Sequence, residues 1–484
     1  MKKNVIAVCL NFGLLAAVIC TVGTLGIISK DVGNKKEKFT GELETNCKLR
    51  ILENDTAKES GYLKELLDAF NEAYKEYGIE AVDANMDQYT DLEKGGPYGV
   101  GPDVLYQAND ALMKYVSGRH IMPLPIEKLD CYSEIKENAW NAYKSKYESE
   151  YYNFGVPVNI QQPLLFYRKD LLPDDWKTTW DRNNNDVPDM VENWTDLYKF
   201  SKTIRNDSGG SKYGYMKSLN DGYFASGYYF SYGGYVFGGE EKNDTFDIGF
   251  SKGEAEKGGR IIRQLASIMN LECTEDTITK NSYSRLGNGT YFATMTTPDV
   301  YSLFIKEMKE NYKKDGLSEE EAYQKAVDNL VVCDVPSVPN SGDLEDDSQG
   351  HKKMTVMGGI NGYAISSYTK YPNAALEFVN FATSYNMIKK RCEILGISPA
   401  RVDLANEFGG LNQIINDNLE SGSIYVMPSI RELAQVWKPL QTFCATLCDD
   451  VLKGKEVYST LEKIKEGLKN VDQQIYDAIH TLSS

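Results

Sequence analysis

The sequence predicts an α/β fold divided between two domains, and three observations carry that prediction. At 484 residues the chain exceeds what one compact core accommodates. Its hydrophobic fraction of 42% is ordinary for soluble globular protein, so two cores can be filled. The main body opens strand, helix, strand, which implies a parallel sheet flanked by helices.

Lys2 and Lys3 precede an apolar run from Val5 to Ile28, broken only by Asn11 and two threonines. As a helix that run would span about 36 Å. No small-x-small cleavage site precedes Lys30, and Ile19, not a small residue, precedes Cys20. Residues 1–30 therefore read as an uncleaved anchor, a leader lipidated at Cys20, or a cleaved signal peptide. All three place the remaining chain outside the cytoplasm, and the first two attach it to the cell membrane. Residues 31–46 form a polar tether.

Lys48 to Leu52 reads as a strand, followed by helical spacing at Leu63, Leu66, Leu67, Phe70, Ala73, Tyr74 and Tyr77, with Gly78 as the stop. Strands at Ile79 to Val82 and Asp103 to Tyr106 complete the opening unit. Mixed strands and helices recur beyond it without an internal repeat. Ser318 and Glu321 form a capping box ahead of a helix from Ala322 to Leu330. Tyr147 to Phe154 is a tyrosine-rich approach to a strand, and Asn340 to Gly350 is a loop.

The formal charge of −17, from 53 basic and 70 acidic residues, supplies no basic face for nucleic acid. Three scattered histidines, His120, His351 and His480, argue against histidine catalysis or zinc binding. The nine cysteines contain no C-x-x-C pair. Cys9 and Cys20 lie in the first 30 residues; the other seven are either free buried thiols or include one or two bridges. Tyrosine is abundant at 33 residues, with 17 Phe and 5 Trp, and such rings suit sugars as well as cores.

Several segments occur in a telling order. They are Gly101-Pro102-Asp103-Val104-Leu105, Val156-Pro157-Val158, Leu164 to Leu172 (LLFYRKDLL), Tyr223-Phe224, Gly233-Gly234-Tyr235, and Met427-Pro428-Ser429-Ile430 leading to Trp437. From about Lys48 to about Ile475 this order resembles the maltose/maltodextrin-binding proteins, the extracellular solute-binding family 1 that serves ABC sugar transporters. The resemblance implies a two-lobed periplasmic-binding-protein-like fold of type II. It places residues 47–158 with 334–381 in an N-terminal lobe and 159–333 with 382–484 in a C-terminal lobe. The chain would cross near Val158, Asp334 and Phe381, and the ligand would sit between the lobes.

Residue by residue, the resemblance assigns sugar-binding groups to Glu53, Asn54 and Asp55 after the first strand, and to Tyr106 and Asp110 around the third. As ordinary structure, both loops would cap the next helix. Gln161 stands where the family has a carboxylate, and the alternative is a hinge residue. Asp221, Gly222 and Tyr223 match an acid, a tight turn and a stacking ring. Trp437 resembles the principal stacking tryptophan, with Met427 ten residues before it. The chain departs from the family at Asp299, which follows Pro298 where another tryptophan stands, and Tyr301 is the nearest substitute ring. The family's arginines correspond to Ala111 and Gln441. The inferred cleft therefore holds Glu53, Asp110, Asp221 and Asp299 with little opposing positive charge, and should repel uronic acids.

Asp181, Asn183, Asn185, Val187, Asp189 and Glu192 reproduce the ligand spacing of a calcium loop, with Asp186 in place of the usual glycine. No cofactor is required, and a structural calcium is the one ion this pattern suggests. The alternative is a solvated Asn/Asp turn.

The function this predicts is a non-enzymatic receptor of an ABC sugar importer that binds a neutral oligosaccharide. The expected partners are that sugar, the permease subunits and the membrane at the N-terminal segment; nucleic acid is excluded and the chain is expected to act as a monomer. Three other readings stay open: a polyamine or amino-sugar receptor, a sensory receptor subunit, and an exported glycoside hydrolase, which also needs aromatics and paired carboxylates. No nucleophile motif favours the last.

Overall fold

Parallel strands need a crossover between them, and the first crossover here is helix α1 (Tyr62–Ala73). It buries Leu63, Leu66 and Phe70, spaced three and four residues apart, so one stripe faces the sheet. The helix frays into a 3-10 turn, and Gly78 ends it at φ 67°, a left-handed geometry that favours glycine. It joins β1 (Cys47–Leu52) to the parallel β2 (Ile79–Asp83), and β3 (Val104–Ala108) pairs with the other edge of β1. The computed structural model describes residues 39–481 except 88–91, 148–149, 240 and 276–277. The anchor or leader expected over 1–30 lies outside the described residues. Among the described residues no helix is long and apolar enough to cross a membrane.

The remaining principal strands are β4 (Val156–Gln161), β5 (Leu164–Arg168), β6 (Tyr213–Tyr215), β7 (Tyr291–Thr296), β8 (Leu330–Cys333), β9 (Val356–Ile365), β10 (Ser398–Pro399) and β11 (Ile424–Val426). The first sheet has the order β10-β4-β9-β3-β1-β2, with β11 alongside the start of β9. The second has the order β8-β5-β7-β6. Each is the centre of one lobe. The chain leaves the first lobe at Gln162-Pro163, between β4 and β5.

Two expected crossings move. Asp334 leaves β8, but the chain stays on the second lobe: Trp194 N–H donates to the Ser337 carbonyl, and Arg260 donates to the carbonyls of Ser341 and Gly342. It rejoins the first sheet only at β9. Nor does it leave that sheet at Phe381, because β10 and β11 both belong to it. Helix α2 (Gly222–Phe230) and helix α3 (Glu256–Ser267) lie on the second lobe, and helix α4 (Tyr385–Leu395) carries Arg391 into the first-lobe core. The C-terminal helices α5 (Trp437–Leu452) and α6 (Leu461–His480) pack on α3. Arg263 on α3 pairs with buried Asp450, and Gly259 lies so close to Ile464 that a Cβ there would stand 2.4 Å from its Cγ2.

The capping box forms as expected, with both reciprocal hydrogen bonds between Ser318 and Glu321. Lys144–Tyr147 and Glu150–Asn153 make a hairpin out of the tyrosine-rich approach. The seven cysteines outside the first 30 residues are all free, and six are buried. Burial pushes the thiols of Cys392 and Cys444 up to about 12, which keeps them protonated and unreactive at neutral pH.

Candidate functional site

The crossing from β4 to β5 brings the two lobes face to face, and a cavity of about 90 Å³ lies between them. From the first lobe it is lined by Asn54, Tyr106, Asn159, Gln161 and Asn361; the second lobe contributes Pro298 and Asp299. A second recess of about 310 Å³ is lined by Asp221, Gly222, Tyr223, Trp437 and Gln441. Tyr223 lines the second recess and feels the charge of Asp299, which lines the first. Burial, followed by the nearby carboxylates of Asp299, Asp110 and Asp221, holds the Tyr223 hydroxyl well above the usual tyrosine value. It remains a neutral donor and acceptor.

Local structure explains these positions. Asp221 caps the N-terminus of α2, its carboxylate accepting from the Tyr223 N–H at 3.1 Å, which sets the turn that presents Tyr223. Gly222 lies against Trp437: a Cβ there would stand 2.9 Å from the indole Cε3. Only glycine permits that approach. Gln441 follows one turn after Trp437 on α5 and therefore shares its face. The Asn54 side chain accepts from the Ala57 N–H at 2.8 Å, so it caps the next helix while lining the cavity. Gln161 ends β4 and faces the cavity, as does Asp299 from its turn after β7.

Five expected residues line neither recess. Glu53 is fully buried, paired with fully buried Arg391 through contacts of 2.7 and 3.0 Å, and accepts from the Tyr363 hydroxyl. Its carboxylate is a core ion pair, because two buried charges must satisfy one another. The Arg391 guanidinium in turn lies 3.8 Å from the Tyr106 ring centroid, so Glu53 acts on the site through Arg391 and Tyr106. Asp55 is exposed in the first turn of a short helix. Met427 lines a separate cavity of about 640 Å³ with Leu419 and Lys242, where Asn109 donates to its carbonyl at 3.0 Å. Tyr301 begins its helix half-buried and lines neither recess. Asp110 lies in the helix after β3, and burial raises its carboxyl above the usual value.

One positive charge that the sequence reading did not place lies near Asp221. Lys217, 4% exposed, sits with its ammonium 3.4 Å from the Phe224 ring centroid. Burial lowers it to about 8, against the opposing pull of Asp221. Nothing in the local sequence signals this lysine, since an isolated lysine reads as surface. Asn159 carried a weak signal, an amide within the otherwise apolar VPVNI stretch.

The sequence model describing bacterial extracellular solute-binding proteins matches residues 54–385. The chain belongs to that family. Among curated relatives, the galactooligosaccharide-binding protein of Bacillus subtilis (strain 168) is 22% identical over 95% of this chain and 96% of its own length. The maltodextrin-binding protein MdxE of the same strain is 24% identical over 95% of this chain and 97% of its own. The solved structure of the maltose-binding periplasmic protein MalE from Listeria monocytogenes, in complex with maltose, superposes with a TM-score of 0.67 at 19% identity, covering 90% of this chain and 98% of the other. A cyclo/maltodextrin-binding protein complexed with maltotetraose gives 0.66 at 21% identity, covering 91% and 99%. The two-lobed fold is the maltose-binding-protein fold.

In this solute-binding protein the calcium-like loop closes much as its spacing demands. Asn184 and Asp186 adopt positive φ of 57° and 62°, so Asp186 makes the sharp turn in place of glycine. The Glu192 carboxylate accepts from the amides of Asn183 at 3.0 Å and Asn185 at 2.7 Å, and Asp181 accepts from the Asn185 N–H at 2.9 Å. Asp189 departs from the expected set: it is 4% exposed and held by Arg182 at 2.7 Å, so it turns away from the other donors. Among the described residues no three His, Cys, Asp or Glu side chains converge as a metal-holding group. The loop itself offers two carboxylates, two amides and the Val187 carbonyl.

Proposed function

We propose that this solute-binding protein is the receptor of an ABC sugar importer and holds a neutral oligosaccharide between its lobes. The carrying observation is the interlobe cavity, where amides and a tyrosine from one lobe oppose a carboxylate from the other, beside a recess walled by Tyr223 and Trp437. Amide and carboxyl groups engage vicinal hydroxyls in both directions, and flat rings cover the apolar C–H faces of a sugar. The relatives named for galactooligosaccharide and maltodextrin support this reading.

Binding would favour the closed arrangement of the lobes, pivoting at Gln162-Pro163 and the return strands, and the closed form is what a permease would engage. No chemistry on the sugar is invoked. The protein works as an exported monomer held at the membrane by the 1–30 segment, either as a helix or through a lipid on Cys20; relatives named as lipoproteins support attachment. The Asp181–Glu192 loop holds a structural calcium through Asp181, Asn183, Asn185, the Val187 carbonyl and Glu192.

A tryptophan-fluorescence screen tests the ligand class, with neutral malto- and galacto-oligosaccharides against a uronate oligomer and a polyamine. Saturable binding of a neutral oligosaccharide is expected. Tighter binding of the polyamine would move the reading to an amine receptor, and tighter uronate binding would overturn the neutral-ligand assignment.

A further inference from the structure

The floor of the interlobe cavity contains a feature that neither the capping loops nor the aromatic wall requires. Asn361 on β9 stands directly opposite Asn159 on β4 in the antiparallel register. Immediately after Asn361 the pairing slips, from Asn361–Asn159 to Gly362–Pro157. Such a bulge disrupts the ladder locally and re-aims side chains. Both asparagines line the cavity, flanked by Gln161 two residues along β4.

Their hydrogen bonds run in one direction. The Tyr106 hydroxyl, on β3, donates to the Asn159 amide oxygen. Burial pushes that hydroxyl up to about 12, so it keeps its proton, and the Asn361 amide donates toward it. Asn361 therefore lies between Tyr106 and Asn159 on three successive strands, with its amide nitrogen engaged. Among the described residues its buried amide oxygen has no hydrogen-bond partner. A buried acceptor left unpaired is disfavoured, and native proteins retain such groups rarely. Arg391, stacked on the Tyr106 ring, holds the relay in place from behind.

We infer that Asn361, paired with Asn159, is a specificity-determining subsite of the cleft, at which a hydroxyl of the ligand donates to the Asn361 amide oxygen. The inference rests on the sugar-receptor reading and deepens it. The subsite is neutral and made of amides, so it selects for a hydroxyl at one ring position and against an analogue lacking it there, because the deoxy analogue leaves the buried oxygen unpaired.

Titration calorimetry with the neutral oligosaccharide that binds most tightly in the screen tests this, using wild type, Asn361→Leu and Asn361→Asp. Both variants keep the volume and lose the amide N–H that faces Tyr106; the leucine also removes the acceptor, which the aspartate keeps. Asn361→Leu should weaken binding roughly 10- to 100-fold, and Asn361→Asp, which retains the acceptor, should bind more tightly than Asn361→Leu. One monodeoxy analogue should lose affinity for wild type and none further for Asn361→Leu. If Asn361→Leu does not fold, Asn361→Ala removes the same oxygen and carries the same expectation. Undiminished binding by the apolar variant, or an equal loss in Asn361→Asp, overturns the subsite and leaves the receptor reading standing. Failure of wild type to bind any oligosaccharide overturns the receptor reading, and the subsite with it.

Discussion

Lys217 is a buried lysine with one carboxylate, Asp221, acting on it and an aromatic face beneath it. Below about pH 8 it is charged both folded and unfolded, and the burial penalty is fully present. Between about 8 and the ordinary lysine value of 10.5 the folded protein releases the proton while the unfolded chain keeps it, so stability rises with pH across that window. Lys217→Met should accordingly stabilise the protein at pH 7, by on the order of 3 kcal/mol at most, and the difference should shrink as pH approaches 10. Chemical denaturation at several pH values checks this; a difference independent of pH would contradict it. Glu53 makes the opposite case. Glu53→Ala leaves Arg391 buried and unpaired and should destabilise the fold by roughly 3–5 kcal/mol, read as a lowered melting temperature. A variant that lost sugar affinity at unchanged stability would return Glu53 to the ligand. The sequence could not reveal its role, because the partner lies 338 residues away.

At the scale of elements, local signals were legible and non-local pairings were not. The β1-α1-β2-β3 opening followed from hydrophobic period and a stop glycine, and the Ser318 capping box from residues three apart. The Phe381 boundary failed because β10 and β11 are two and three residues long, too short for any periodicity, and their place depends on partners in β4 and β9. The bulge after Asn361 was invisible for the same reason. The Asp181–Glu192 loop was legible as spacing, down to the left-handed Asp186, while the capture of Asp189 by Arg182 was not. With calcium in the loop, chelator-treated protein should gain several degrees of melting temperature in millimolar calcium, and Glu192→Gln should lose most of that gain, since the position-12 carboxylate is the bidentate ligand of such loops. No heat on titration and no thermal shift would remove the ion from the account.

For the whole molecule, the cleft became partly acidic and partly compensated. The charges of Asp299, Asp110 and Asp221 all act on Tyr223, Glu53 is neutralised by Arg391, and Asp221 acts on Lys217. The family resemblance identified Gln161, Asp221, Tyr223 and Trp437 as candidates; only the folded sheet brought Asn159 and Asn361 into the same cavity. The central claim is that one neutral oligosaccharide is held from both lobes at once. Its most direct test is titration calorimetry of that sugar into wild type, Gln161→Ala on the first lobe and Trp437→Ala on the second. Each variant should remain folded and weaken binding, by about 2 kcal/mol or roughly 30-fold for the tryptophan and about 1 kcal/mol for the amide. Full affinity in either variant would contradict a ligand held between the lobes.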